Sequence, residues 1–213
     1  MPKLVARNIS VSLDGFMAGP DQSLDHPLGT GGERLHHWVF ATRTGRAMIS
    51  ADGAGDTGPD DDLLAHADDG VGATIMGRNM FGPIRGDWGD GSWSGWWGEE
   101  PPYHHPVFVL THHPRESLTM SGGTVFHFVT DGIEAALERA YAAADGRDVR
   151  VGGGAATLRA YLRVGLLDEL TLAVVPVLLG RGERVLDGPY ETYAAQPGAV
   201  AHMRVVRRTD DGV

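Results

Sequence analysis

Short apolar runs of strand type alternate with helical segments along this chain, and that alternation constrains the fold more than any other feature. Strand readings fall at residues 4–11, 73–77, 107–111, 124–129, 148–152, 170–177 and 199–207, where apolar and β-branched residues cluster between turn formers. Helical readings fall at 33–42, 131–144 and 157–164. Leu35, Trp38 and Val39 share a face of the first, and Ile133, Leu137 and Tyr141 a face of the second. Gly58-Pro59-Asp60-Asp61-Asp62 begins a further helix, its carboxylates satisfying free N–H groups and the helix dipole; the acidic run otherwise reads as a solvated loop and cap. Strands that alternate with helices run mostly parallel, in a sheet covered on both faces. The tail, 168–208, reads strand-loop-strand and predicts an antiparallel edge. With 213 residues, no internal repeat and no linker-like break, a single domain over 1–213 is expected.

Composition removes several function classes. The chain has no cysteine, so disulfide scaffolds, thiolate-held zinc and thiol nucleophiles are excluded. A net charge of −10 without a basic stripe argues against nucleic acid as a partner. The longest apolar stretch, 170–179, is too short to span a bilayer, and the first ten residues read straight into a strand, so no membrane association and a cytoplasmic location are expected.

Residues 149–151 lead into Gly152-Gly153-Gly154-Ala155-Ala156-Thr157 and then a helix. A strand, a glycine turn and a helix N-terminus can cradle a pyrophosphate, because glycine admits close backbone approach and the helix start offers unpaired N–H donors. The same run also suits a helix packed closely on a sheet, and both readings stand. A Rossmann fold does not fit: about sixty residues follow the run, and no acidic residue ends a second strand about twenty positions on.

Met76-Gly77-Arg78-Asn79-Met80-Phe81 provides a second glycine turn after a buried strand. Arg78 stands where a guanidinium can clamp a phosphate, with the short polar Asn79 beside it. Thr111 and His112 end a third strand on the same edge and can meet a phosphate or a ribose hydroxyl. The pairs His104-His105 and His112-His113 give at most one ligand each on extended backbone, so no metal is expected. Asp14, in Ser12-Leu13-Asp14-Gly15-Phe16, is either a turn residue or a group that orients substrate and relays a proton; the roles are compatible. Four of the five tryptophans lie in 87–97, in a loop that either packs on the domain or covers a substrate.

In order and spacing these motifs, with residues 106–111, Asp168-Glu169-Leu170 and 176–182, resemble the dihydrofolate reductase superfamily, in the branch of the reductase domain of bifunctional riboflavin-biosynthesis enzymes. The resemblance covers nearly the whole chain. It implies a dihydrofolate-reductase-like three-layer α/β/α sandwich with a mixed, mostly parallel sheet, often a homodimer, and NADPH as hydride donor. It further implies that Gly77, Arg78, Asn79, Thr111 and His112 receive the adenosine-phosphate half, with Arg78 and His112 meeting the 2′-phosphate. Gly152, Gly153, Gly154, Ala155, Ala156 and Thr157 would hold the pyrophosphate and place the nicotinamide. Asp14 would act at the reacting centre, and Gly15, Phe16, Trp38 and Arg181 would contact a small-molecule substrate.

The first helix lacks the acidic residue that holds a pterin in folate reductases; Glu33 stands at its start and its middle is His36-His37-Trp38. The implied activity is therefore closer to 5-amino-6-(5-phosphoribosylamino)uracil reduction, although no zinc-binding deaminase domain accompanies it. A non-catalytic NADP-binding or sensor protein is the alternative.

Overall fold

A computed structural model describes residues 1–49, 54–82 and 86–186, and the backbone alone of 192–196 and 201–206. The elements run β1 (Leu4–Ser12), β2 (Phe16–Ala18), a 3-10 turn (Gly32–His36), α1 (His37–Ala41), α2 (Arg43–Met48), α3 (Pro59–Ala65), β3 (Val71–Gly77) and α4 (Arg78–Phe81). They continue with β4 (Pro106–Leu110), β5 (Leu118–Thr119), β6 (Val125–Val129), α5 (Ile133–Ala143), β7 (Asp148–Gly153), α6 (Ala155–Arg163), β8 (Glu169–Val175), β9 (Glu183–Arg184), β10 (Thr192–Gln196) and β11 (Ala201–Val206).

Nine strands form one sheet in the order β10-β11-β8-β1-β7-β3-β4-β6-β5. β8, β1, β7, β3, β4 and β6 are parallel, and the edges at β11, β10 and β5 are antiparallel. The expected parallel centre and antiparallel tail are both present. β3 is buried along its whole length, which accounts for its mostly apolar sequence; its one polar side chain, Thr74, is bonded to His105.

Alternation along the strands builds two faces. Leu4, Ala6, Ile9, Val11, Ala73, Ile75, Val149 and Val151 pack against Ala136, Leu137 and Ala140 of α5 and Leu158 and Tyr161 of α6. The Tyr161 hydroxyl donates to the Ile133 carbonyl at 2.8 Å and ties the two helices together. On the other face Leu35, Trp38 and Leu64 cover Ala173 and Val175, while Phe81 and Trp88 cover Met76, Val107, Val109 and Phe126. Helices over one face, and helices plus the tryptophan loop over the other, give the three layers. No helix among the described residues is long and apolar enough to cross a membrane.

The helix expected at 33–42 divides into the 3-10 turn and α1, with His36 at φ −113°, ψ 0° between them. Leu35 and Trp38 are three apart, a spacing that shares a face in either helix type. The acidic run departs from its solvated reading at Asp61, which is 1% exposed. Its Oδ1 accepts the Thr44 N–H at 2.7 Å and its Oδ2 lies 3.2 Å from Arg43 Nη2, so it pins α2 to α3. Hydrogen bonds from the Thr44 side chain and backbone, with the Arg43 charge, hold the carboxylate below its ordinary range against the opposing effect of desolvation.

Candidate functional site

Six parallel strands end on one edge, and the residues expected on the cofactor side lie at that edge. The sheet's partner order reverses at β1 and β7. From β1 the chain crosses to β3 beyond β7, and from β7 it crosses to β8 beyond β1. In open α/β sheets ligands bind at such a switch point, at the carboxyl ends. β1 pairs with β7 only at Leu4↔Val149 and Val5↔Arg150, but with β8 up to Ser12↔Val175. The ladder between β1 and β7 is therefore confined to their lower ends.

Two glycine turns meet beside this point. A Cβ on Gly77 would lie 2.5 Å from Thr157 Oγ1, and one on Gly154 would lie 3.6 Å from the Gly77 Cα. Gly153 and Gly154 have φ of +150° and +89°, which L side chains rarely adopt. Met80 closes on the same turn, with its Sδ 3.2 Å from a Cβ at Gly153. α6 starts at Gly154 with no side-chain cap, so its first N–H groups face the edge uncapped. Ala155 and Thr157 are buried, Ala156 is exposed, and Gly152 is half-buried over Thr74. A glycine without room for a Cβ at 77, and glycines of positive φ at 153 and 154 beside an uncapped helix start, fit the phosphates of a dinucleotide. The two glycine turns singled out in the sequence, at 77 and at 152–154, lie against each other.

Arg78 is half-buried, with its guanidinium 3.9 Å from the centre of the Trp88 ring and Nη2 donating to the Asp87 carbonyl at 3.4 Å. Asn79 follows it, half-buried, on α4. Thr111 is buried and accepts the His113 N–H at 3.1 Å; His112 is exposed at the same strand end. His113 Nδ1 lies 2.8 Å from Asp87 Oδ1. These residues form one patch at the ends of β3 and β4.

Asp14 lies just beyond the end of β1, and its carboxylate accepts three hydrogen bonds. Oδ1 accepts the Ser12 hydroxyl at 2.6 Å and the Leu179 N–H at 3.1 Å, and Oδ2 accepts the Gly180 N–H at 2.6 Å. The Ser12 bond, with the Gly180 and Leu179 amides, lowers its pKa to about 2 against a smaller opposing effect of desolvation. An anion held in this way latches the 12–16 turn to 177–180, and at neutral pH it has no proton to give. Ser12, which sequence reasoning had not assigned a role, is detectable in retrospect as the hydroxyl two residues before the aspartate.

The substrate-side residues are dispersed. Gly15 and Phe16 lie under Arg184, whose guanidinium is 4.3 Å from the Phe16 ring centre. Trp38 is only 7% exposed and donates its indole N–H to Ser10 Oγ at 3.0 Å, which places it in the core rather than on an open wall. Arg181 is exposed and 3.9 Å from Asp21.

The tryptophan loop packs. Trp88 meets Phe128 edge-on at 4.9 Å, Trp97 stacks on Phe126 at 5.9 Å, and Trp93 donates to the Phe81 carbonyl at 3.0 Å. Arg115, missed in the sequence because nothing local marks it, fastens the loop by donating to the Trp93 and Gly91 carbonyls at 2.7 and 2.5 Å. No group of three or more potential metal ligands occurs among the described residues.

The RibD C-terminal domain family matches residues 3–194. Among solved structures, a protein assigned to riboflavin biosynthesis from Shewanella sp. PV-4 aligns with a TM-score of 0.61 at 18% identity, over 98% of this chain and 100% of that one. Dihydrofolate reductase from Enterococcus faecalis, complexed with NADP(H) and RAB-propyl, aligns at 0.52 and 14%, over 97% of each chain. A pyrimidine reductase-like protein from Corynebacterium diphtheriae aligns at 0.52 and 13%, over 98% of this chain and 93% of its own. No curated protein sequence matches the chain. The strand order, the glycine cradle and these alignments agree: the fold is dihydrofolate-reductase-like, and the chain belongs to the RibD C-terminal domain family.

Proposed function

We propose that this protein is an NADPH-dependent reductase acting on a C=N or C=O carbon of a small metabolite similar to 5-amino-6-(5-phosphoribosylamino)uracil. The observation that carries the reading is the joined glycine cradle of Gly77, Gly153 and Gly154 against the uncapped start of α6, at the switch point of the sheet. Family membership supports a reductase of the riboflavin-pathway type. When bound, the cofactor supplies the hydride; the protein supplies placement and electrostatics. The cradle binds the pyrophosphate, Arg78 and His112 meet the adenosine phosphate, and Thr111 shapes that end.

Asp14 fixes the turn that carries Gly15 and Phe16 toward the substrate. Because its carboxylate stays ionised, it orients substrate donors, and the proton for the reduced centre comes through water. The reading includes a homodimer as the assembled form. Titration with NADPH, NADH and FMN, followed by NADPH oxidation with the ribosylaminouracil phosphate, tests it. NADPH binding with turnover is expected, and absence of NADPH binding at millimolar concentration refutes it. The anionic Asp14 also favours a second reading, an NADP-binding sensor, which predicts tight binding without turnover.

A further inference from the structure

The proposed reading leaves the tryptophan loop as packing, yet one of its rings reaches the cofactor edge. Trp88 is 9% exposed and held on several sides. Its indole N–H donates to the His113 carbonyl at 2.8 Å, and its ring meets Phe81 at 5.9 Å and Phe128 at 4.9 Å, both edge-on. On this fixed ring lie two cations, Arg78 at 3.9 Å and Arg115 at 5.0 Å. Arg115 is committed to loop carbonyls. Arg78 follows the Gly77 turn directly and stands at the carboxyl edge.

A guanidinium stacked on an indole uses its π face, while its N–H donors lie in its plane. Stacking thus fixes the plane of the fork through its face, while Nη2 in that plane also donates to the Asp87 carbonyl. Resting on the reading above, we infer that Trp88 is a positioning residue for cofactor selectivity: its indole sets the Arg78 guanidinium so that the N–H edge meets the 2′-phosphate of NADPH. The Asp87 carbonyl and the Asp87–His113 contact brace the same arrangement from the β4 side.

The test measures dissociation constants for NADPH and NADH in wild type, Trp88→Phe, Trp88→Leu, Arg78→Ala and the Arg78→Ala/Trp88→Leu double variant. A positioning role predicts that Trp88→Leu weakens NADPH binding by roughly 3- to 30-fold, leaves NADH within about twofold, and adds little once Arg78 is already alanine. Trp88→Phe, which keeps a ring, is expected to retain most of the preference. A purely structural role weakens both cofactors in proportion and persists in the Arg78→Ala background; that result overturns the inference.

Should the leucine variant fail to fold, wild-type indole emission decides. Adenosine 2′,5′-bisphosphate is expected to shift it and AMP to leave it unchanged, with the difference lost in Trp88→Phe. Equal responses to the two nucleotides overturn the role. Wild type that binds neither cofactor refutes the reductase reading itself, whereas an NADPH preference unmoved by both Trp88 variants refutes only the role of Trp88.

Discussion

Gly77→Ala isolates one contact at the heart of the cradle. The Gly77 backbone, at φ −77° and ψ 156°, accepts any residue, so the substitution introduces no conformational strain. The new Cβ would lie 2.5 Å from Thr157 Oγ1, close to an ångström inside ordinary contact, and the Thr157 Cβ at 3.7 Å shows that the hydroxyl alone is in the way. Overpacking of this kind costs about 1–3 kcal/mol. For a chain of this size each kcal/mol moves Tm by about 2–4 °C, so a loss of about 2–12 °C is expected by calorimetry. Thr157→Ala removes the obstructing atom from a helix start that tolerates alanine well, and alone it costs less than about 1 kcal/mol. The double variant Gly77→Ala/Thr157→Ala should recover at least half of the single-variant loss, a coupling of at least about 0.5–1.5 kcal/mol. Additive losses in the double variant would refute the contact between the β3 and β7 turns on which the cradle rests. Gly154→Ala provides the contrast. Its cost comes from a φ of +89°, so Thr157→Ala should not rescue it.

Three further outcomes are expected. Asp14 has a folded-state pKa of about 2, below its ordinary value of 3.8, so its stabilising contribution is complete above about pH 4 and is lost as pH falls toward 2. Acid unfolding followed by circular dichroism should show that component in wild type and its loss in Asp14→Asn. Asp61→Ala should lower Tm clearly more than Asp62→Ala, since Asp61 is buried and bonded while Asp62 is exposed; equal shifts would remove its pinning role. Phe81→Ala, at a ring that is 0% exposed, should cost about 3–5 kcal/mol in urea titration and loosen the tryptophan loop, with a red shift in indole emission.

What was legible in the sequence depended on whether the physical cause was local. The parallel strands could be read because a strand buried on both faces, such as β3, is mostly apolar. The glycines at 77 and 152–154 stand out because they mark strand-to-helix turns by local composition alone: Gly77 leaves no room for a Cβ, and Gly153 and Gly154 have positive φ. By contrast α2 was hidden by Gly45, a poor helix former, which is required because a Cβ there would strike the Val39 carbonyl. β2, β5 and β9 are two or three residues long and carry no periodicity of their own. Asp61 looks like its exposed neighbours until α2 is brought against α3. The engagement of Asp14 was unreadable for the same reason: its Leu179 partner is 165 residues away. So was the pairing of Arg78 with Trp88, which depends on how the loop after α4 turns back.

The place of β1 has a consequence for how the chain comes together in time. The strand sits between β7 and β8, and it is fastened by the Lys3 N–H to Asp148, 145 residues on, and by the Leu4 N–H to Asp168, 164 residues on. It has no earlier partner in the large sheet. During synthesis the run beginning Leu4-Val5-Ala6 therefore leaves the ribosome well before either flanking strand exists, and the centre of the sheet closes late. Such dominance of distant contacts slows folding and prolongs the exposure of an unpaired apolar edge. The nascent chain is most open to capture by chaperones, or to pairing with another nascent copy, in the interval before β7 and β8 emerge.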